Sequence, residues 1–274
     1  MSDAFLAMMN SLDSQKREGF ERPPINYMGS KFESLGRLLP LLPVRNTWVD
    51  VFGGSGVVTL NRTPSKLDVY NDRWGGLSAI YKCVADAHKL DELITRLSLA
   101  PHSREFFIWC KDTVDLPDDD VTRAVKAYYL IQMSFAGRAE YFGRVVKGSS
   151  NIHKKLSKSL KGFYTIHDRF KQVQIENLDW KVCVKDFDNY DTVHYMDPPY
   201  IGSSVYRFAI DHTDLCETIF GLKGFVALSG YDNPIYNKYP WDHVYHWPVK
   251  TDVATMATTE GATTEHATVF NRTA

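Results

Sequence analysis

The chain is poor in cysteine: Cys83, Cys110, Cys183 and Cys216 are the only four in 274 residues. They form no CxxC pair and no Cys/His cluster, so the expectation is reduced thiols, with neither a disulfide framework nor a metal site. No apolar run approaches the roughly 20 residues that cross a bilayer. The stretch "AFLAMM" near the start is too short for a span and lacks the basic flank of a secretory leader, so no membrane partner and a cytoplasmic location are expected. Net charge is nearly absent too, −1 from 32 Lys/Arg against 33 Asp/Glu, so bulk charge does not announce a nucleic-acid partner. Nor is there an internal repeat. What remains is an ordinary globular composition, long enough for one core domain carrying a smaller insertion.

Charge distribution says more than its sum. Between Arg144 and Lys171 stand eight basic residues (Arg144, Lys147, Lys154, Lys155, Lys158, Lys161, Arg169 and Lys171) against one acid, Asp168. The preceding "LPDDD" at 116–120 is acidic. One face is therefore expected to be strongly positive, either as a solvated lysine-rich surface or as a surface for a polyanion.

The first 22 residues are weakly patterned and read as a flexible tail. "INYMGSK" (25–31) opens a helical pattern through Phe32, Leu35, Leu38, Leu39 and Leu42. "TWVDVF" (47–52) reads as a strand, "GGSG" as a turn, "VVTLNR" as a helix and "KLDVYND" (66–72) as a second strand ending in an acid, with a helix after it. That succession is the first half of a doubly wound, Rossmann-like α/β sheet. From 90 to 172 the pattern is helical with a long basic loop and reads as an inserted domain. Strand patterns return at "VQIEN", "DTVHYMD", "GFVALSG", "HVYHW" and "HATVFN", the last two expected to pair as a hairpin around the Ala/Thr-rich stretch 251–264. Residues 23–89 and 173–274 would thus form one discontinuous domain.

"DVFGGSG" (50–56) runs from a strand straight into a helix, a geometry that lets backbone approach a ligand at a helix N-terminus. Asp72 ends the next strand, where an acid can accept from ribose hydroxyls. The dinucleotide fingerprint needs a further glycine three residues after Gly56, and Thr59 stands there. This argues for an adenosine ligand without a pyrophosphate, and S-adenosyl-L-methionine is such a molecule.

"HYMDPPYIG" (194–202) ends a buried strand on two prolines. These remove backbone donors and fix φ, leaving a stiff loop with one carboxylate, free carbonyls and an aromatic ring. An exocyclic amine on a nucleobase is a poor nucleophile because its lone pair is delocalised into the ring. The Asp197 carboxylate and the Pro198 carbonyl, aimed at its two N–H bonds, would localise that pair. The Tyr200 ring could stack on an extruded base for roughly 1–3 kcal/mol. A plain proline-rich turn is the bland alternative.

With these blocks in order, the chain resembles the Dam-like DNA adenine-N6 methyltransferases. The matching stretches are "INYMGSK", "DVFGGSGVVTLN", "VYND", "RAVKAYYLIQMSFAG", "IENLDW", "TVHYMDPPY" and "EHATVFN", over about residues 25–271. The resemblance implies a catalytic domain of 23–89 and 173–274, a target-recognition insertion at 90–172 and double-stranded DNA as partner. It places Asp197, Pro198 and Tyr200 at the amino-group site. Tyr27, Lys31, Phe52, Gly54, Gly56, Asp72 and Asp197 would surround the cofactor, and Trp180 would edge its adenine. Phe135 as a wedge, Arg138 as a base reader, and Lys154, Lys155 and Lys158 as phosphate contacts are its DNA-facing candidates. Ala136, where the family often has asparagine, and Glu140 depart from the pattern, so the usual target sequence does not carry over. Cytosine-N4 methylation, or a catalytically inactive DNA-binding relative, are the alternatives.

Overall fold

The computed structural model describes residues 19–134, 139–143, 152–201, 207–249 and 265–273. Most of the expected N-terminal tail lies outside them. Glu21 and Arg22 are tied to the fold: the Glu21 N–H donates to Asn61 Oδ1 at 2.7 Å, and Arg22 pairs with Glu33 at 2.9 Å. The leucine-spaced run after Tyr27 forms only a short helix, α1 (Leu35–Leu38), between 3-10 turns at Phe32–Ser34 and Leu39–Leu41. Pro40 lacks the N–H that would extend the ladder, which stops the longer helix that the spacing suggests.

Next come β1 (Thr47–Asp50), α2 (Val57–Asn61), β2 (Leu67–Asn71), α3 (Gly75–Ala85), α4 (Ala87–Leu99), α5 (Arg104–Thr113), α6 (Asp120–Met133) and α7 (Ile152–Phe170). The chain continues through β3 (Val173–Glu176), α8 (Trp180–Asp186), β4 (Thr192–Met196), α9 (His212–Gly221), β5 (Phe225–Tyr231), β6 (His243–Val249) and β7 (Glu265–Arg272). Side-chain caps fix five of the helix starts. Asp86, Ser103, Asp119, Asp179 and Asp211 each accept from an amide of the first turn that follows.

The strands form one seven-stranded sheet in the order β3-β2-β1-β4-β5-β7-β6. β1 to β5 run parallel, and β7 inserts antiparallel between β5 and β6. The winding reverses between β1 and β4, so the loops leaving these neighbours diverge and open a crevice at their carboxyl ends. Register sets Asp50 at the end of β1 opposite Tyr195, two residues before Asp197.

Alternation along β1 and β4 assigns the two faces. Trp48, Val193 and Tyr195 pack with Leu35, Leu38, Val57 and Val58 on one face, while Val49 and Met196 pack with Leu215, Ile219 and Phe270 on the other. A third cluster joins Tyr70 and Tyr81 to Tyr128, Phe163 and Phe170, so α3, α6 and α7 share one continuous apolar core. A buried ion triad ties this region to the sheet. Asp68 accepts from Arg62 at 2.7 Å and from Arg169 at 2.6 Å. Among the described residues no helix is long and apolar enough to cross a membrane.

Candidate active site

The glycine turn is shaped from below by two tyrosines. Tyr70 donates its hydroxyl to the Gly54 carbonyl at 2.8 Å, and Tyr81 donates to the Ser55 carbonyl. A Cβ at Gly53 would lie 2.2 Å from the Tyr70 ring. Gly56 has φ +65°, and its Cβ would meet the Tyr81 hydroxyl at 2.6 Å. Any other residue would push the turn off its tyrosine bed. From the side, the Asp72 carboxylate accepts from the Gly54 N–H at 2.9 Å and the Trp74 N–H at 2.8 Å, holding the turn against the start of α3.

Thr59, standing where the dinucleotide pattern wants glycine, has its own task. Its hydroxyl accepts from Trp48 Nε1 at 3.0 Å and donates to Asp50 Oδ2 at 2.8 Å. Asp50 is 1 % exposed, and its other oxygen has no hydrogen-bond partner. That bare oxygen belongs to a residue lining the same cleft as Asp72 and Asp197.

On the β4 side, Lys31 Nζ donates to Asp197 Oδ2 and to the Gly29 carbonyl at 3.0 Å, and lies 5.2 Å from the centre of the Tyr200 ring. The Tyr200 hydroxyl reaches Asp197 Oδ1 at 3.3 Å, and its ring packs on Tyr231 at 4.6 Å. Lysine, carboxylate and ring thus form one contact group at the strand end.

Three carboxylates, Asp50, Asp72 and Asp197, share the cleft lining with three cations, Lys31, Arg73 and Arg207. Burial pushes the Asp50 carboxyl up to about 7, with Thr59 opposing and the Asp197 and Asp72 charges adding to the rise. Burial lifts Asp72 to about 6 against its two amide donors. Asp197 is raised by the same desolvation, opposed by Lys31.

The structure brings Tyr27, Lys31, Phe52, Gly54, Asp72, Trp180 and Asp197 to the walls of one cleft. Gly56 stands behind the wall under Tyr81, while Pro199 lines it with Pro198 and Tyr200 adjacent in the same loop. Phe52 and Trp180 face each other at 6.4 Å, and Tyr27 stacks on Trp74 at 6.3 Å. Of the DNA-facing candidates, Phe135 and Arg138 lie outside the described residues, as do the side chains of Lys154 and Lys155 on the first turn of α7. Lys158 is exposed on the same helix.

Sequence reasoning passed over Asp50, although an acid closing an apolar strand just before a glycine turn was a usable signal. It also passed over Arg207 and Phe208, which reach the cleft from beyond the Asp-Pro-Pro-Tyr loop. The Arg207 guanidinium lies 4.4 Å from the Trp74 ring and bonds Asp115 at 2.7 Å, while Phe208 sits 4.8 Å from the Arg73 guanidinium. Nothing in the local spacing marks either residue.

A doubly wound sheet with a glycine turn ending one central strand and an Asp-Pro-Pro-Tyr loop ending its neighbour has the architecture of a Rossmann-like methyltransferase. The chain belongs to the D12 class N6 adenine-specific DNA methyltransferase family, whose model matches residues 27–267. It is similar to the modification methylase StsI of Streptococcus sanguinis, with 22% identity over 209 residues, 70% of this chain and 31% of that protein. It is also similar to the modification methylase LlaI of Lactococcus lactis subsp. lactis, with 27% identity over 194 residues, 66% of this chain and 30% of that protein. The chain spans about a third of the length of these curated relatives.

Proposed function

We propose that this chain uses S-adenosyl-L-methionine to methylate the N6 amino group of adenine in a specific sequence of duplex DNA, acting on a base flipped out of the helix. One observation carries the reading. The ionic Lys31–Asp197 contact and the Asp72-held glycine turn end neighbouring parallel strands and border one cleft.

The residues present suit that cofactor. Asp72 retains acceptor capacity beyond its two backbone donors, as a ribose diol requires. The bare, buried oxygen of Asp50 suits a cationic ligand. Phe52 and Trp180 supply apolar edges for an adenine ring. When bound, S-adenosylmethionine supplies an electrophilic methyl group on a sulfonium.

The protein's own part is alignment. Lys31 opposes the desolvation that raises Asp197 and so favours its carboxylate form, which can accept one N–H of the target amine while the Pro198 carbonyl accepts the other. Those two acceptors favour a pyramidal nitrogen whose lone pair faces the donor side of the cleft. Tyr200 holds Asp197 only at 3.3 Å, a bond it can release to stack on the incoming base. Residues 90–172 would read the DNA sequence, with Lys154, Lys155 and Lys158 on phosphates. Modification of DNA alongside a restriction nuclease is the biological setting that the names of the relatives favour. Cytosine N4 presents a similar amine, and analysis of the modified base separates the two.

The test is incubation of the protein with unmodified duplex DNA and methyl-labelled S-adenosylmethionine, followed by mapping of labelled positions. Label on adenine N6 is expected. Asp197→Ala should abolish transfer in a chain that still folds and binds the donor; full transfer by that variant would refute the reading.

A further inference from the structure

In the sheet, β1 stands between β2 and β4, and the glycine turn follows its carboxyl end. The connection from β4 to α9 nevertheless reaches residues that follow β2. The Arg207 guanidinium lies 4.4 Å from the centre of the Trp74 ring, and the Phe208 ring centre lies 4.8 Å from the Arg73 guanidinium. Arg207, Phe208 and Ile210 line the same cleft as Asp72 and the glycine turn. Residues 207–210 therefore bridge the crevice from the β4 side to the β2 side, past the end of β1.

One carboxylate fastens the bridge. Asp115, between α5 and α6, accepts from Arg207 at 2.7 Å with one oxygen and from Trp74 Nε1 at 3.2 Å with the other. Trp74 is a fixed post, because it is buried, its N–H donates to Asp72 and Tyr27 stacks on its ring. Arg207 thus makes an ion pair and a cation–π contact together, and loses both when it lifts away. The Asp115 side chain is exposed, and exposed pairs hold weakly. Such a fastening can open and close without threatening the fold. At the far end the chain is anchored where Asp211 caps α9, accepting from the Thr213 and Asp214 N–H groups. Asp115 itself lies outside the lining of the cleft, within the insertion.

We propose that residues 207–210 are a strap across the donor cleft, latched by Asp115, and that the Arg207–Asp115 contact parts to let S-adenosylmethionine enter and the spent donor leave. This rests on the methyl-donor reading above and adds to it a control of donor exchange seated in the insertion. A latch differs from a ligand contact in its kinetics. Loosening a latch speeds association and dissociation together, whereas deleting a ligand contact speeds dissociation alone.

The experiment compares wild type, Asp115→Ala, Arg207→Met and Arg207→Lys in the full chain. Stopped-flow fluorescence gives the association and dissociation rates of S-adenosylmethionine, calorimetry its dissociation constant, and thermal melts the stability. Asp115→Ala removes no residue of the cleft lining, and Arg207→Met keeps a long side chain without the charge. Each should speed both association and dissociation by about three- to tenfold, with the dissociation constant within about threefold of wild type. Arg207→Lys, which keeps the charge and loses the flat guanidinium stack, should fall between wild type and Arg207→Met. Wild-type rates in both Asp115→Ala and Arg207→Met would overturn the proposal. So would faster dissociation with unchanged association, or a lower melting temperature without faster association, which would leave the pair a merely structural role. A wild-type protein that binds no S-adenosylmethionine would bring down the donor reading, and the latch with it. Faster exchange in the variants of a protein that binds donor but labels no adenine would support the latch and bring down the target alone.

Discussion

Donor binding should be linked to proton release, through Asp50 above all. In the free protein that carboxyl titrates near 7, because it is buried and one oxygen has no partner. A sulfonium lodged in the same cleft favours the ionised form, so the proton leaves when the donor enters. If ionisation becomes complete on binding, affinity weakens about tenfold between about pH 8 and about pH 6 from Asp50 alone. Asp72, titrating near 6, adds roughly a factor of two. The effect on stability has the opposite direction. A carboxyl raised from 3.8 to about 7 keeps its proton in the fold after the unfolded chain has lost it, so the free protein loses stability as pH rises through that window. Asp50→Asn cannot ionise and should stabilise the free protein near pH 8 by up to about 4 kcal/mol. It keeps an acceptor for Thr59, yet it should lose the tenfold part of the pH dependence of donor affinity, leaving only the roughly twofold part from Asp72. Calorimetry in two buffers of different ionisation enthalpy reads the proton count directly, and thermal melts read the stability. Donor affinity that is flat from about pH 6 to about pH 8, with no proton released by the wild-type protein, would refute the reasoning.

Other tests address the frame and the proposed DNA face. Asp68→Ala leaves the guanidinium groups of Arg62 and Arg169 facing one another with no anion between them, so it should cost about 3–5 kcal/mol in chemical denaturation, whereas exposed Asp91→Ala should cost under about 1 kcal/mol. Neutralising Lys154, Lys155 and Lys158 together should reduce the salt dependence of DNA binding by up to about three counterions, read from affinity against ionic strength. An unchanged slope would remove that helix from the interface.

The parallel half of the sheet was legible because its strands are short apolar runs closed by sharp punctuation. "TWVD" stops before glycines, "LDVYN" on an acid and "TVHYM" on Asp-Pro-Pro, and each strand lies within a residue or two of those marks. The candidate site was legible for the same reason, since strand ends in such a sheet converge on one crevice. Three features were hidden. The helix expected after Tyr27 was cut short by Pro40, a local signal outweighed by the leucine spacing. The insertion of β7 between β5 and β6 is a matter of tertiary pairing that no periodicity encodes. The links Trp48–Thr59–Asp50 and Tyr236–His212 join residues whose side chains meet only once the chain has doubled back, so spacing alone cannot announce them.

β1 and β4 touch along their length, yet more than a hundred residues separate them in the chain. Backbone ladders, rather than any loop, therefore determine how far apart the two halves of the crevice stand. Within the excursion between them, β2 and β3 join the sheet, while the helices α4 to α6 take no part in the ladders that set that spacing. If residues 90–172 read DNA as proposed, the choice of target can change there while the strand ladders hold the spacing of the crevice.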